Sequence, residues 1–514
     1  MRGLVLVLAI VLVAAGVSAA TPGAADLPKH GGTLIYGLST EPPDLDPHVN
    51  SGASSGTVKM AVYDGLVKYG HGGTIVPALA ERWGLVGQNQ YVFHLRKGVR
   101  FHNGDPLTAE DVKFSFDRIL DPKTGGQLRG PFSVIKTVEV IDPATVKVVL
   151  TQPFSPFLAY LAMPYAAIAD KKVSQGGANL RSTMMGTGPF KFVSWEPGQR
   201  IRLVRNEEYW DKGRPYLDGV NFVPFADDQT RLTALRAGDI MLMDFVPQEQ
   251  MNSIGRDKSL TLYADVGIFM CIIFNPQRKP YDDPRVRQAI AYAIDRDAVV
   301  KTIFDGRGTP ITGDVVPKQW WAYDGAVEGK YTFNVEKAKG LLREAGYPNG
   351  VRITLLAPIT YSLHTRTAQV VQASLAKAGI QAQLDLPEWA VVLKRHNEGD
   401  YGSEVRGLTA AINDPDFLSE FYQSDRTTYA KQVGFKDAQL DEWLAQARLL
   451  QNQALRKKLY AQITGRALEL APWVYIAWGD QGEAGRAYVR GYDHFPGPLG
   501  RYAGYSLAET WLAR

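Results

Sequence analysis

The chain has 514 residues, of which 45% are apolar, 21% charged and 11% aromatic, enough for large cores, which excludes a disordered protein. At roughly 100–200 residues per domain it should hold about two to four structural units. The net charge of +4 is spread along the chain without a Lys/Arg block to track phosphates, so nucleic acid is not an expected partner.

Residues 1–20 read as a secretory signal peptide: Arg2, an apolar run Leu4–Ala15, then the small residues Ser18, Ala19 and Ala20. The run is 12 residues long, against the ~20 that span a bilayer. Cleavage after Ala19 or Ala20 removes one positive charge and leaves about +3. No cysteine lies near that site to carry a lipid, so a soluble periplasmic protein is expected. The single cysteine, Cys271, sits in the apolar stretch Ile268–Phe274 and reads as a buried thiol.

Gly31–Tyr36 reads as a strand that runs into the turn-rich Glu41–Pro47. Thr108-x-x-Asp111 is a capping-box pattern, and Val112, Phe116, Ile119 and Leu120 then share one helical face. Two hairpins follow, Val134–Ile141 with Thr145–Leu150 and Phe190–Trp195 with Arg200–Arg205. Asp283-Pro284 and Asn334 each start a helix. Val351–Leu356, Thr365–Ala378 and Ile380–Leu386 form a βαβ unit with parallel strands. A single helical region, Leu440–Leu470, precedes Pro472 and a buried strand at Trp473–Trp478. The fold class is α/β.

Seven phrases, in order along nearly the whole mature chain, resemble the family 5 bacterial extracellular solute-binding proteins, the oligopeptide, dipeptide, nickel and opine binders. They are Gly31–Leu34, Leu107–Ser115, Gly186–Phe190, Tyr209-Trp210, Leu235–Ile240, Asn275 with Asp283–Ile290, and Leu341–Tyr347. The resemblance implies a large, three-subdomain, two-lobed periplasmic-binding-protein fold (class II) with mixed sheets and a two-strand hinge. Domain I would take residues 27–58, 184–272 and 480–514, domain II residues 59–183, and domain III residues 273–479. It further implies a monomer that closes on a small-molecule solute and delivers it to the membrane permease subunits of an ABC importer, with no enzymatic activity and no cofactor.

Peptide binders of this family carry a Gly-Trp-x-x-Asp stretch whose aspartate pairs with the peptide ammonium. Here the matching segment is Gly407-Leu408-Thr409-Ala410-Ala411, with Ala411 at the aspartate position. Dipeptide binders also place an arginine just before a domain III helix, and Pro358–Leu363 has none. The resemblance therefore implies a ligand without a free amino terminus: a glycoside, an opine-like compound or a modified peptide. Candidate ligand-binding residues are His48, Asn50, Trp320, Trp321, Tyr361, Trp389 and Asn413, with Asp414 or Asp416 as substitute acids. Each Trp also reads as core packing, and His48 and Asn50 as turn chemistry.

Besides a periplasmic chaperone-like role using the same groove, two other classes remain open. Gly52-Ala53-Ser54-Ser55-Gly56 matches the G-x-S-x-G of a secreted serine hydrolase using Ser54, but the residues before it are not strand-like. A metal-chelate carrier of the nickel type is the other, although the eight histidines show no ligand spacing.

Overall fold

The computed structural model describes residues 27–49, 52–425 and 434–513. The leader at 1–20 and Asn50 lie outside them. In chain order the elements that matter for function begin with β1 (Thr33–Leu38) and α1 (Ala53–Val62). Next come β2 (Ala80–Val86), β3 (Gln90–Leu95), α2 (Ala109–Leu120), β4 (Ile135–Asp142) and β5 (Thr145–Leu150). After them follow β6 (Phe190–Glu196), β7 (Arg200–Arg205), β8 (Gly219–Pro224), β9 (Leu242–Met243) and the long β10 (Leu260–Phe274). The second half supplies α3 (Pro284–Ala293), β11 (Val351–Leu356), α4 (Ser362–Lys377), β12 (Ile380–Asp385), α5 (Trp389–Glu398), β13 (Ser403–Leu408) and β14 (Trp473–Arg486).

Most local expectations hold. Asp111 Oδ2 accepts from the Thr108 amide at 2.9 Å and from its hydroxyl at 2.8 Å, closing the box that starts α2. Asp283 and Asn334 cap their helices through Arg285 N and Lys337 N. Both hairpins form as antiparallel pairs, β4 with β5 and β6 with β7. The expected single helix over 440–470 is two, Ala438–Leu449 and Gln453–Leu470. Leu450 is extended there, and the Asn452 side chain accepts from Leu455 N to begin the second helix. A local cap therefore wins over continuous apolar periodicity.

One mixed sheet runs through the molecule in the order β12-β11-β13-β10-β14-β9-β1-β8-β7-β6. A separate antiparallel sheet has the order β2-β3-β5-β4. β10 and β14 pair along almost their entire lengths, from Leu260↔Arg486 to Ile273↔Trp473. At one end β14 continues the sheet into β9 and β1; at the other β10 continues it into β13. These are the two strands shared by both lobes, and the register shifts between Val266 and Ile268 and between Met270 and Cys271. Such bulges bend a strand and interrupt its ladder.

The apolar run Ile268–Phe274 has its reason here. Phe269, Cys271 and Ile273 face one core, while Met270, Ile272 and Phe274 face the other with α3 and α4. A strand buried on both faces needs no polar alternation. Cys271 is a fully buried free thiol.

Glycines keep the strand pair close. A Cβ on Gly482 would lie 2.1 Å from the Tyr263 carbonyl oxygen, which belongs to the paired backbone. The Gly482→Ala variant is expected to lose about 1–3 kcal/mol of unfolding free energy from overpacking. Gly465→Ala, in the helix Gln453–Leu470 with nothing within 4 Å of its Cβ, is expected to gain about 0.5–1 kcal/mol. Denaturant unfolding of both variants beside the parent checks the pair.

Candidate functional site

A cavity of about 1150 Å³ opens between the lobes. Its first wall is the Gly125–Arg129 loop that follows α2, together with Tyr160 and Met163. The second wall comes from the end of β13 and the chain after it, Gly407–Thr409, Ala411 and Ile412, with Phe417 and Glu420 beyond. Ile268 of β10 and Arg501 of the C-terminal segment complete it. The size is that of a site for a whole small metabolite. Its ionisable lining is Arg129, Arg501 and Glu420, two cations and one anion.

The second wall is held in place by its own sequence. After β13 the chain reaches Asn413-Asp414-Pro415-Asp416, where Asp414 caps the short 3-10 turn Pro415–Leu418 by accepting from Asp416 N at 2.9 Å. Asp414 also grips Arg456 with both oxygens, at 2.7 and 2.8 Å. Asp416 is fully buried, and its oxygens accept from Arg448 Nε at 2.6 Å and from the Tyr160 hydroxyl at 3.0 Å. Tyr160 belongs to the opposite wall, so this last bond crosses the cleft. Further crossings run from Asn413 Nδ2 to the Gly73 carbonyl at 2.8 Å and from Ser155 N to the Arg448 carbonyl at 2.8 Å. The Tyr502 hydroxyl donates to the Ala411 carbonyl at 2.6 Å.

The candidates from sequence scatter around this cavity. His48 is fully buried: its Nε2 lies 2.9 Å from the Ala167 carbonyl and its Nδ1 2.7 Å from Arg118 Nη1. Burial, reinforced by Arg118, pushes this imidazole down to about 4, so it is neutral and fully engaged in holding the loop after β1. Trp320 packs edge-on to Phe417 at 5.9 Å, and Trp321 lies 5.2 Å from the Arg456 guanidinium. Both support the second wall from behind, as does Asp414, while Asn413 and Asp416 bond across the cleft. Tyr361 and Trp389 meet edge to face at 5.5 Å, at the starts of α4 and α5. None of the described candidate residues lines the cavity, whereas the family segment Gly407–Thr409 and Ala411, with the vacant acid position, does.

The hydrolase reading does not survive the geometry. Ser54 is the second residue of α1, is buried, and donates to Asp244 Oδ2 at 2.7 Å with Ser39 Oγ at 3.1 Å. Neither partner is an imidazole that could activate it. Among the described residues no three His, Cys, Asp or Glu side chains gather as a metal site, so the metal-carrier reading lacks a ligand set.

Sequence reasoning missed Arg129, Tyr160, Glu420 and Arg501. The loop Gly125-Gly126-Gln127-Leu128-Arg129-Gly130-Pro131 reads only as a connection, though an arginine between glycines was a usable signal. Arg501 lies in the irregular 3-10 stretch Gly497–Ala508, which has no periodic pattern to read.

Comparison with known proteins agrees with this architecture. Residues 74–429 match the model of the bacterial extracellular solute-binding proteins, family 5, middle region. The chain is 32% identical to heme-binding protein A of Haemophilus influenzae, over 90% of this chain and 92% of that one. It is 31% identical to the dipeptide-binding protein of Escherichia coli K12, over 91% and 93%. Among solved structures it superposes on the periplasmic binding protein AgaA of A. tumefaciens R10, in complex with agropinic acid, with a TM-score of 0.84. Identity there is 39%, covering 94% of this chain and 99% of AgaA. No helix among the described residues is long and apolar enough to cross a membrane. The chain belongs to the bacterial extracellular solute-binding proteins of family 5, the non-enzymatic periplasmic binding proteins that serve ABC importers.

Proposed function

We propose that the solute captured by this chain is a small polar acid without a free ammonium group, of the opine-like kind. The observation that carries this is Ala411, a methyl group in the cavity wall where peptide binders of the family present a carboxylate. A peptide ammonium enclosed there would lose its hydration without gaining a partner. The excess of Arg129 and Arg501 over Glu420 favours an anion. AgaA, the 39% identical protein solved with agropinic acid, supports the same class.

In this reading the solute is gripped by both walls, so it binds the closed arrangement more tightly and shifts the population toward it. The moving bodies are domain I (27–58, 184–272, 480–514) with domain II (59–183), against domain III (273–479). The chain acts as a monomer, exported by the leader at 1–20 and released without a lipid anchor, and the closed form is what the permease engages.

Titration calorimetry tests the ligand class. Agropinic acid is expected to bind saturably and the dipeptide Ala-Phe not to bind; the reverse order would overturn the reading. Replacing Ala411 with Asp is expected to bring roughly ten- to hundredfold tighter dipeptide binding, since a hydrogen bond to a charged group is worth about 1.5–3 kcal/mol. The same change should weaken agropinic acid.

The Tyr160→Phe variant removes the bond to Asp416 and no ring contact. About 0.5–1.5 kcal/mol of closure energy should go with it, seen as a several-fold weaker ligand and a larger ligand-free radius of gyration in X-ray scattering.

A further inference from the structure

The sheet of the second lobe leaves part of one side bare. β12 is its outermost strand and runs parallel to β11, with Arg352 opposite Gln381 and Thr354 opposite Gln383. Val351, Ile353 and Leu355 face inward and share a core with Ala368, Val371 and Leu375 of α4. By strand alternation Arg352, Thr354, Gln381 and Gln383 take the opposite face, and all four are exposed. Parallel strands are nearly always covered on both faces, so this bare face calls for a reason.

A groove of about 550 Å³ lies on it. It is lined by these two strands, by the loop Arg278–Tyr281 and by Gly402. The loop is pinned to the sheet by the Tyr281 hydroxyl, which donates to the Thr354 carbonyl at 3.3 Å and lies 3.1 Å from Ser403 Oγ. The groove is separate from the inter-lobe cavity. The two share no residue, and β13 sets Gly402 apart from Gly407 by roughly 16 Å at the usual rise of a strand.

The charges that line the groove have one sign. Arg278, Lys279 and Arg352 are present, and no carboxylate is. Asp282 and Asp400 stand outside the lining, and Asp400 is shared with Arg395 at 3.7 Å. Arg352 bonds through Nε alone, to Gln381 Oε1 at 3.0 Å. Arg278 bonds through Nη2 alone, to the Gly399 carbonyl at 3.1 Å and to Asp400 Oδ1 at 3.3 Å. Lys279 is exposed and takes part in no ion pair among the described residues. Three cations with uncommitted N–H groups around one groove match an oxyanion of two charges, and a guanidinium can grip such a group with two parallel bonds.

We propose that this groove is a second binding site of the chain, for a phosphate monoester. Arg352, Lys279 and Arg278 take the phosphoryl oxygens, and the amides of Gln381 and Gln383 take the hydroxyl groups of the alcohol part. A soluble glycerol or sugar phosphate and the headgroup of an anionic lipid present the same chemistry. All the lining residues lie on the second lobe, so the site is independent of the solute held between the lobes.

The test is calorimetry with glycerol phosphate at low ionic strength, where exposed charges are least screened. Saturable binding is expected, weakened at least about fivefold in Arg352→Gln and in Lys279→Gln, both with the unfolding midpoint of the parent. Arg129→Gln in the inter-lobe cavity and Lys339→Gln, an exposed lysine outside the groove, should leave that affinity unchanged. No binding by the parent overturns the site. So does an equal loss in Arg129→Gln, which puts the ester in the cavity, or in Lys339→Gln, which makes the effect one of general surface charge. Cosedimentation with phosphatidylcholine vesicles, with and without phosphatidic acid, separates the two sources once glycerol phosphate binds. Retention that needs phosphatidic acid and is lost in Arg352→Gln names the lipid headgroup; any other result names the soluble ester.

Discussion

The pairing of β10 with β14 is the constraint on which the rest of the molecule depends. The other strands of the large sheet reach their places by pairing, directly or through neighbours, onto this ladder, the short Gly308–Pro310 strand onto its middle and the rest toward its ends. The first lobe hangs on β14 through β9, and the second hangs on β10 through β13. Over Ala264–Val266 the ladder is two strands wide, and its register shifts just beyond, between Val266 and Ile268. A continuous sheet resists shear along its hydrogen bonds, yet a narrow, bulged section can bend. Gly479 and Gly482 of β14 fall in the same section, and neither has room for a Cβ, so the flexible place is also closely packed.

A second constraint is charge buried on the far side of the cleft wall. Asp414, Asp416, Arg448 and Arg456 are all at least nine-tenths buried. Taking them from water is costly, and the bidentate grip of Arg456 and the short Arg448–Asp416 bond offset that cost only in one geometry. The turn Asn413–Asp416 is therefore fixed by two arginines contributed by the helices Ala438–Leu449 and Gln453–Leu470. Those helices do not line the cavity, yet they decide where Ala411 and Phe417 stand.

Much of the fold is legible in the residues because its signals are local. Thr108 with Asp111, Asp283 with Pro284, and Asn334 each announce a helix start within four positions, and the alternation at Val351–Leu356 announces a strand covered on one face. The site is less legible because its determinants are distant. His48 looks like a cleft residue until Arg118 and Ala167, 70 and 119 positions away, take both its nitrogens. Trp320 and Trp321 look like ligand platforms, but Phe417 and Arg456 meet them. Arg129 and Arg501 sit in segments without periodicity, and only the tertiary path of the chain brings them to one cavity.

Recognition in such a cavity works as much by refusal as by attraction. The second wall offers small and apolar groups at Gly407, Leu408, Ala411 and Ile412, with the hydroxyl of Thr409 between them. In the proposed reading such a wall sorts cationic from anionic solutes: an enclosed ammonium finds no acceptor at Ala411 and only Glu420 beyond it, while a carboxylate on the other side has two arginines nearby. The discrimination is largest when the cleft is shut, because water that could solvate the refused charge has left. In that reading closure and selectivity are one property, and both trace to the short stretch of chain between the end of β13 and the buried Asp414.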